Sequence, residues 1–213
     1  MRFTEPVLNE ICMSKTRNEK PANHENGPVT NQAEKMGVPN KVLSLIQRED
    51  YVAAHEALRT LPRSLVVSQA MGVCVIRIGN AAEAVDLFRT MSVVPGTTVL
   101  KPEADDSLKV NYATALMMNG SPSGALDLLD ELEDPCHPMA LEIRAAIRKW
   151  ANGLAFWRRW DWKLNRIDPP RCSVPFDFTP GVFPFEVPRM ADKPVTTPVT
   201  SDTIETADST VAC

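Results

Sequence analysis

The chain has 213 residues, a net charge of −4 at pH 7 and 44% hydrophobic residues, which is enough for one domain of ordinary size with its own core. The mild acidic excess argues against a nucleic-acid-binding protein, because such proteins usually carry a basic surface. No apolar run reaches the roughly 18 residues of a membrane-spanning helix, and the N-terminal residues lack the apolar stretch of a secretory signal. We therefore expect a cytoplasmic protein.

Composition divides the chain into four parts. Residues 1–36 are polar with balanced charges and little periodicity, so we expect a disordered arm. Residues 37–167 carry helical periodicity almost throughout and are expected to form a helical domain. Residues 168–187 contain four phenylalanines among prolines, and we expect them to pack on that domain in extended form. Residues 188–213 are polar and rich in threonine, which predicts a disordered tail.

Three stretches of the helical domain share one pattern, in which an apolar helix, a short polar break and a second helix follow each other. The stretches are residues 42–61, 68–91 and 109–132, and the breaks are residues 48–50, 79–80 and 119–122. A glycine in such a break accepts the left-handed conformation that ends many helices. In the third break, Ser121 is expected to cap the second helix and Pro122 to be its first residue.

The stretches also share small residues at positions where paired helices would approach closely, followed by a large apolar residue in the second helix. The shared positions are Gly72, Gly79, Ala84 and Phe88 in the second stretch, Ala113, Gly120, Ala125 and Leu129 in the third, and Ala54 and Leu58 in the first. This pattern resembles the tetratricopeptide-repeat family between residues 42 and 132. The sequence departs from the family in three ways. Glu49 replaces the turn glycine of the first stretch, and Met91 or Leu132 replaces the last small residue of the second helix. The early alanines of the second helices are 30 and then 41 residues apart, against a family period of about 34.

The resemblance implies an all-α fold, a short right-handed solenoid of helical hairpins. Residues 138–150 have helical spacing and are expected to form the capping helix that closes such a solenoid, and residues 154–167 a further short helix.

In tetratricopeptide-repeat proteins the first helix of each pair lines a concave groove that binds a protein or peptide partner. Carrying the groove positions over gives the candidate partner-binding residues Leu43, Ile46, Val73, Ile76, Arg77, Val110, Met117 and Met118. An apolar groove of this kind suits an amphipathic helix or an aromatic-rich strand. Two alternatives stay open: these residues are ordinary core, or the phenylalanine-rich segment fills the groove in cis.

Residues 154–167 contain a dense cluster of aromatic and basic side chains. Trp150, Trp157 and Trp160 would form one stripe if the preceding helix continued through Gly153, whereas Trp162 falls off that stripe. One stripe is what core packing needs, so we expect a helix whose aromatic side chains pack on the body. The alternatives are a docking face for a protein, since Trp and Arg are frequent hot-spot residues, and a helix lying on an anionic membrane surface.

No catalytic motif accompanies these elements. The three histidines, His24, His55 and His137, lie outside any metal-ligand or protease spacing, and no glycine-rich phosphate loop is present. The five cysteines are scattered, which predicts free thiols in a reducing compartment. We therefore expect no enzyme activity, metal or cofactor. The predicted function is a protein-interaction module or adaptor that uses the groove; the alternative is a peripheral membrane protein anchored by residues 154–167.

Overall fold

A computed structural model describes residues 30–170 and 172–187. Apart from one isolated bridge between Val93 and Leu100, the regular structure of these residues is helical, which confirms the all-α class. The helices are α1 (Thr30–Lys35), α2 (Asn40–Gln47), α3 (Tyr51–Arg59), α4 (Leu65–Ile78), α5 (Ala81–Ser92), α6 (Asp106–Met118), α7 (Pro122–Leu129), α8 (Pro138–Gly153) and α9 (Phe156–Asn165).

The disorder that the sequence predicted for residues 1–36 and 188–213 lies mostly outside the described residues. The part of the first segment that is described contains α1, with Ala33 fully buried. Helical structure therefore begins earlier than the predicted domain boundary at residue 37, because Ala33 and Val38 contribute to the same buried cluster as α2 and α3.

Each helix packs mainly against its neighbours in the chain. Three of these contacts form the pairs α2–α3, α4–α5 and α6–α7, which correspond to the three repeated stretches of the sequence. Helix α4 also contacts α6, and α6 contacts α8. The first helices of successive pairs therefore lie side by side from α4 to α8.

One turn recurs between the two helices of every pair. Its central residue has a positive φ, of 60° at Glu49, 92° at Gly79 and 81° at Gly120. In each case the N–H of the next residue donates to the carbonyl oxygen five positions before it, over 2.9–3.1 Å: Asp50 to Leu45, Asn80 to Val75 and Ser121 to Leu116. Glu49 thus adopts the backbone conformation of the two turn glycines, although a side chain there costs about 1–2 kcal/mol.

Helices α4 and α5 meet at a glycine. A β-carbon built on Gly72 would lie 2.5 Å from Cζ of Phe88, whose side chain is fully buried. Any larger residue would have to displace the phenylalanine ring or separate the helices. This contact gives the physical reason for the small residue that the repeat pattern contains at position 72.

The cap of α7 differs from the prediction. Pro122 is the first helical residue, as expected, but the Ser121 side chain makes no capping bond. The carboxylate of Asp168 accepts instead, from the Ser123 N–H at 3.1 Å and from the Ser121 hydroxyl at 3.3 Å. A remote carboxylate replaces the local hydroxyl because a negative charge is stabilised at a helix N-terminus.

The cysteine prediction is wrong at one position. Cys74 and Cys172 carry free thiols, whereas Cys136 is disulfide-bonded. Within the described ranges, no helix combines the length and the apolar character that crossing a bilayer requires.

Candidate functional site

The predicted groove residues lie on α2, α4 and α6, but most of them are covered. The buried members are Leu43, Ile46, Val73, Ile76, Val110 and Met117; the partly exposed members are Arg77 and Met118. Burial alone does not separate a core residue from a groove residue that another segment covers. Whether these residues are core or a covered groove therefore depends on which part of the chain covers them.

Residues 172–187, named here the groove segment, lie across the first helices of the pairs. The segment contains neither helix nor strand. Its residues face α8 across a cleft near Phe176 and contact α6 and α4 near Gly181, and Phe185 is buried in the cluster that contains α2. The segment therefore crosses these helices in the order opposite to the order of the chain.

Arg77 of α4 holds the centre of the groove segment. Its Nε donates to the carbonyl oxygen of Pro180 at 2.6 Å, and one terminal nitrogen donates to the carbonyl oxygen of Gly181 at 3.0 Å. The other terminal nitrogen donates to the Tyr51 hydroxyl at 2.9 Å. The guanidinium carbon also lies 5.3 Å from the centre of the Tyr51 ring and 5.6 Å from that of Phe183, distances at which a cation is attracted to an aromatic face.

Asn111 of α6 binds the next residue of the segment in both directions. Its amide nitrogen donates to the Val182 carbonyl oxygen at 2.8 Å, and its side-chain oxygen accepts from the Val182 N–H at 2.7 Å. Asn111 is fully buried, so these bonds satisfy a polar group that would otherwise be expensive to bury. Both hydrogen bonds therefore involve backbone atoms of Val182, and neither depends on its side chain.

Gly181 fits between these two contacts for steric reasons. Its φ is 81°, and a β-carbon on it would lie 3.2 Å from Cγ1 of Val73. A left-handed conformation and a close wall of α4 both favour glycine. The centre of the segment is therefore selective for glycine even though its neighbours are recognised through their backbone.

The two ends of the groove segment are held differently. At the start, the Cys172 thiol lies 3.1 Å from the Gly120 carbonyl oxygen, and Val174 is buried. Further on, an open cleft of about 400 Å³ lies between the segment and α8. Helix α8 lines it with Glu142, Ala145, Ala146 and Lys149, and the segment lines it with Pro175, Phe176, Asp177 and Phe178. Outside residues 180–182 the segment thus combines the Cys172 hydrogen bond with the burial of Val174 and Phe185.

In contrast to the groove segment, helix α9 has an apolar side that faces away from the body. The exposed members are Phe156, Trp157, Trp160, Leu164 and Ile167, which are 50–81% exposed. The prediction that Trp157 and Trp160 pack inward in one stripe with Trp150 is wrong. Leu154 and Ala155 have extended backbone conformations, so α8 and α9 are separate helices and the stripe does not continue across Gly153.

Trp162, the residue that fell off the predicted stripe, anchors α9. It is 7% exposed and meets Trp150 edge to face, with ring centres 5.5 Å apart. Its indole N–H donates to Asp168 at 3.2 Å. Asp168 therefore connects α9 with the start of α7 immediately before the groove segment begins.

The thiols beneath and beside the segment are poor nucleophiles. Burial raises the pKa of Cys74 to about 12, with the nearby Arg77 charge acting in the opposite direction. Burial, and then the Asp168 carboxylate, raise the pKa of Cys172. Both thiols thus stay protonated at neutral pH. In the part of the chain that the structure describes, no group of three or more His, Cys, Asp or Glu side chains is arranged to hold a metal ion.

Sequence reasoning missed Asn111, Gly181 and Asp168. A signal existed for Asn111, because an asparagine inside an apolar helix is unfavourable unless its side chain has a specific partner. Gly181 follows Pro180, a dipeptide typical of a turn, but nothing near it in the sequence indicates Val73 as its neighbour. The groove positions carried over from the family gave Val110, one residue away from the side chain that contacts the segment.

In comparisons with known proteins, no family model matches the chain, and no curated protein or solved structure is significantly similar to it. The resemblance to tetratricopeptide repeats therefore stays a prediction.

Proposed function

We propose that this chain is a non-catalytic protein-interaction module, whose groove along α2, α4, α6 and α8 binds an extended peptide. One observation carries the proposal: Arg77 and Asn111 make four hydrogen bonds to backbone atoms of residues 180–182. In the recognition of extended peptides, hydrogen bonds to the main chain give affinity. The groove segment then occupies its own binding site in cis.

We also propose that the helix pairs form a right-handed solenoid like that of tetratricopeptide repeats. The recurring left-handed turn and the contacts of α4 with α6 and of α6 with α8 support this arrangement. The segment crosses the first helices of the pairs, which are the groove-lining helices in that family. A cytoplasmic location stays a prediction.

The cis segment describes the partner that the groove would accept. A competing peptide needs a glycine at the position of Gly181, because φ there is positive and a β-carbon would lie only 3.2 Å from Cγ1 of Val73. It needs an aromatic residue at the position of Phe183, over which the Arg77 guanidinium lies. An extended Pro-Gly-apolar-aromatic sequence satisfies both conditions.

The test uses a variant that releases the groove segment and adds the sequence of that segment as a separate peptide. The substitution Gly181→Val should release the segment, and a labelled peptide of residues 173–187 should then bind the variant, measured by fluorescence anisotropy. The wild-type protein should bind the peptide on the order of 100-fold more weakly, because its own segment competes at high effective concentration. Adding Arg77→Ala to the Gly181→Val variant should abolish peptide binding.

The matched control is Gly153→Val. A β-carbon at Gly153 would contact nothing within 4 Å, so this variant should resemble the wild type. If the Gly181→Val variant keeps its helical circular dichroism but does not bind the peptide, the groove has no affinity for extended peptides and the proposal is wrong. Equal binding to wild type and variant would contradict occupation in cis.

A further inference from the structure

Helix α9 carries an exposed apolar surface that the groove does not explain. Its outward face, defined by Phe156, Trp157, Trp160, Leu164 and Ile167, includes one side chain that is 81% exposed and none below 50%. On a helical projection, the four members within α9 fall in an arc of about 100°. Contiguous apolar surface of this kind marks an interaction site in a protein that is otherwise well packed.

This face cannot turn inward, because the other side of α9 is fixed to the body. Trp162 packs edge to face on Trp150 and donates its indole N–H to Asp168. Arg159 donates to the carbonyl oxygens of Asn152 and Leu154 at the end of α8. The aromatic side chains are therefore presented outward by a helix with a defined orientation.

Helix α9 and the residues beside it carry a net positive charge, since residues 154–167 contain four basic residues and one acidic residue. Arg158, Lys163 and Arg166 are exposed. On the helical projection Lys163 borders the apolar arc, whereas Asp161 lies between the arc and Arg158. The single acid, Asp161, accepts a hydrogen bond from Asn165 at 2.7 Å.

We propose that the outward face of α9 docks on an anionic lipid membrane. Tryptophan and phenylalanine are favoured at the boundary between headgroups and acyl chains, and flanking basic residues attract anionic headgroups. The apolar arc has Lys163 at one edge and lies on a helix with a net positive charge, which matches a negatively charged surface. This inference is independent of the proposed function, because it involves none of the groove residues.

The experiment is co-sedimentation of the full-length protein with vesicles. Vesicles of phosphatidylcholine alone are compared with vesicles that also contain phosphatidylserine, each at low and high salt. The wild type should bind the anionic vesicles and lose affinity as salt screens the charges. The double substitution Trp157→Ala with Trp160→Ala should weaken binding at least about tenfold, since it removes two inserted aromatic side chains.

Matched controls separate the face from general apolar exposure and from the groove. Val52 and Leu65 are exposed elsewhere on the body, at 61% and 50%, and Val52→Ala with Leu65→Ala should bind vesicles like the wild type. Peptide binding by Gly181→Val and vesicle binding by Trp157→Ala with Trp160→Ala are measured separately, so the failure of one proposal does not imply the failure of the other. A charge-reversal variant, Arg158→Glu with Lys163→Glu, should lose the preference for phosphatidylserine.

Several outcomes would overturn the membrane proposal. These are absence of wild-type binding to anionic vesicles at low salt, equal binding to neutral and anionic vesicles, and wild-type affinity in the tryptophan variant while its circular dichroism is unchanged. Loss of a protein partner from the tryptophan variant, when the wild type ignores vesicles, would instead assign the face to protein docking.

Discussion

Two aromatic segments of this chain, the groove segment and α9, differ in how far their apolar side chains are buried. The groove segment places Phe185 and Val174 in the buried core, whereas α9 leaves two tryptophans and a phenylalanine in solvent. The difference lies in the backbone. Arg77 and Asn111 satisfy backbone groups of residues 180–182, which lets the groove segment lie on the body. Helix α9 satisfies its own backbone and is attached through the side chains of Trp162 and Arg159.

Apolar content alone therefore does not predict burial. A non-helical segment can be covered where its N–H groups find acceptors and its C=O groups find donors. A helix has no such requirement, so one of its faces can stay free for another surface. The variants that follow test whether the two segments are held in these two ways.

The largest effect is expected from Arg77→Ala. It removes two hydrogen bonds to the groove segment and one to Tyr51, and bonds to a charged donor contribute about 1.5–3 kcal/mol each. The free energy of unfolding should fall by about 3 kcal/mol after partial compensation by water, and limited proteolysis should cut within residues 172–187. Arg158→Ala on α9 is the control, and chemical denaturation should show it within about 0.5 kcal/mol of the wild type. Equal losses in both variants would mean that Arg77 does not hold the segment.

A smaller effect should distinguish the two tryptophans of α9. Trp162→Phe removes the hydrogen bond to Asp168 and part of the contact with Trp150, so stability should fall by about 1–2 kcal/mol. Trp160→Phe should change stability by less than about 0.5 kcal/mol, since its side chain is half exposed. Urea unfolding of both variants measures this, and the reverse order would show that α9 attaches through its other face.

The smallest effect is an increase in stability that leaves both segments unchanged. Glu49 has a φ of 60°. The substitution Glu49→Gly removes the free-energy cost of this left-handed conformation, which is larger than the free-energy cost of fixing the more flexible glycine. The free energy of unfolding should therefore rise by about 0.5–1 kcal/mol. Thermal unfolding measures the gain. Peptide binding and vesicle binding should stay at their wild-type values, and a change in either would show that the body and the segments are coupled.

The parts of the fold that depend on near neighbours could be predicted from the sequence. Helical spacing indicated the paired helices, and Gly79 and Gly120 marked two of the turns because a left-handed residue is a local requirement. Glu49 shows the limit of this reasoning, since the same turn forms there without a glycine. The close contact of Gly72 with Phe88 was indicated by the repeat of small and large residues.

The candidate site depends on contacts between distant residues, which periodicity does not encode. Asn111 and Val182 are 71 residues apart, and nothing near either of them specifies the other. The orientation of α9 was predicted wrongly for a similar reason: the break at Leu154 and Ala155 is short, and moving the start of a helix changes which side chains share a face. Trp162 became the buried residue only through Trp150 and Asp168.

The hydrogen bonds of Arg77 also have a consequence for synthesis. Its carbonyl partners lie 103 and 104 residues further along the chain. At about 5–20 residues per second, the ribosome needs roughly 5–20 s to add that length. For that time α4 exists without the carbonyl partners of Arg77. The complete groove exists for less time, because its last helix, α8, ends at Gly153, 27 residues before Pro180, and the ribosome needs roughly 1–5 s to add that length. A peptide already in the cell therefore meets Arg77 before the chain's own C-terminal part does.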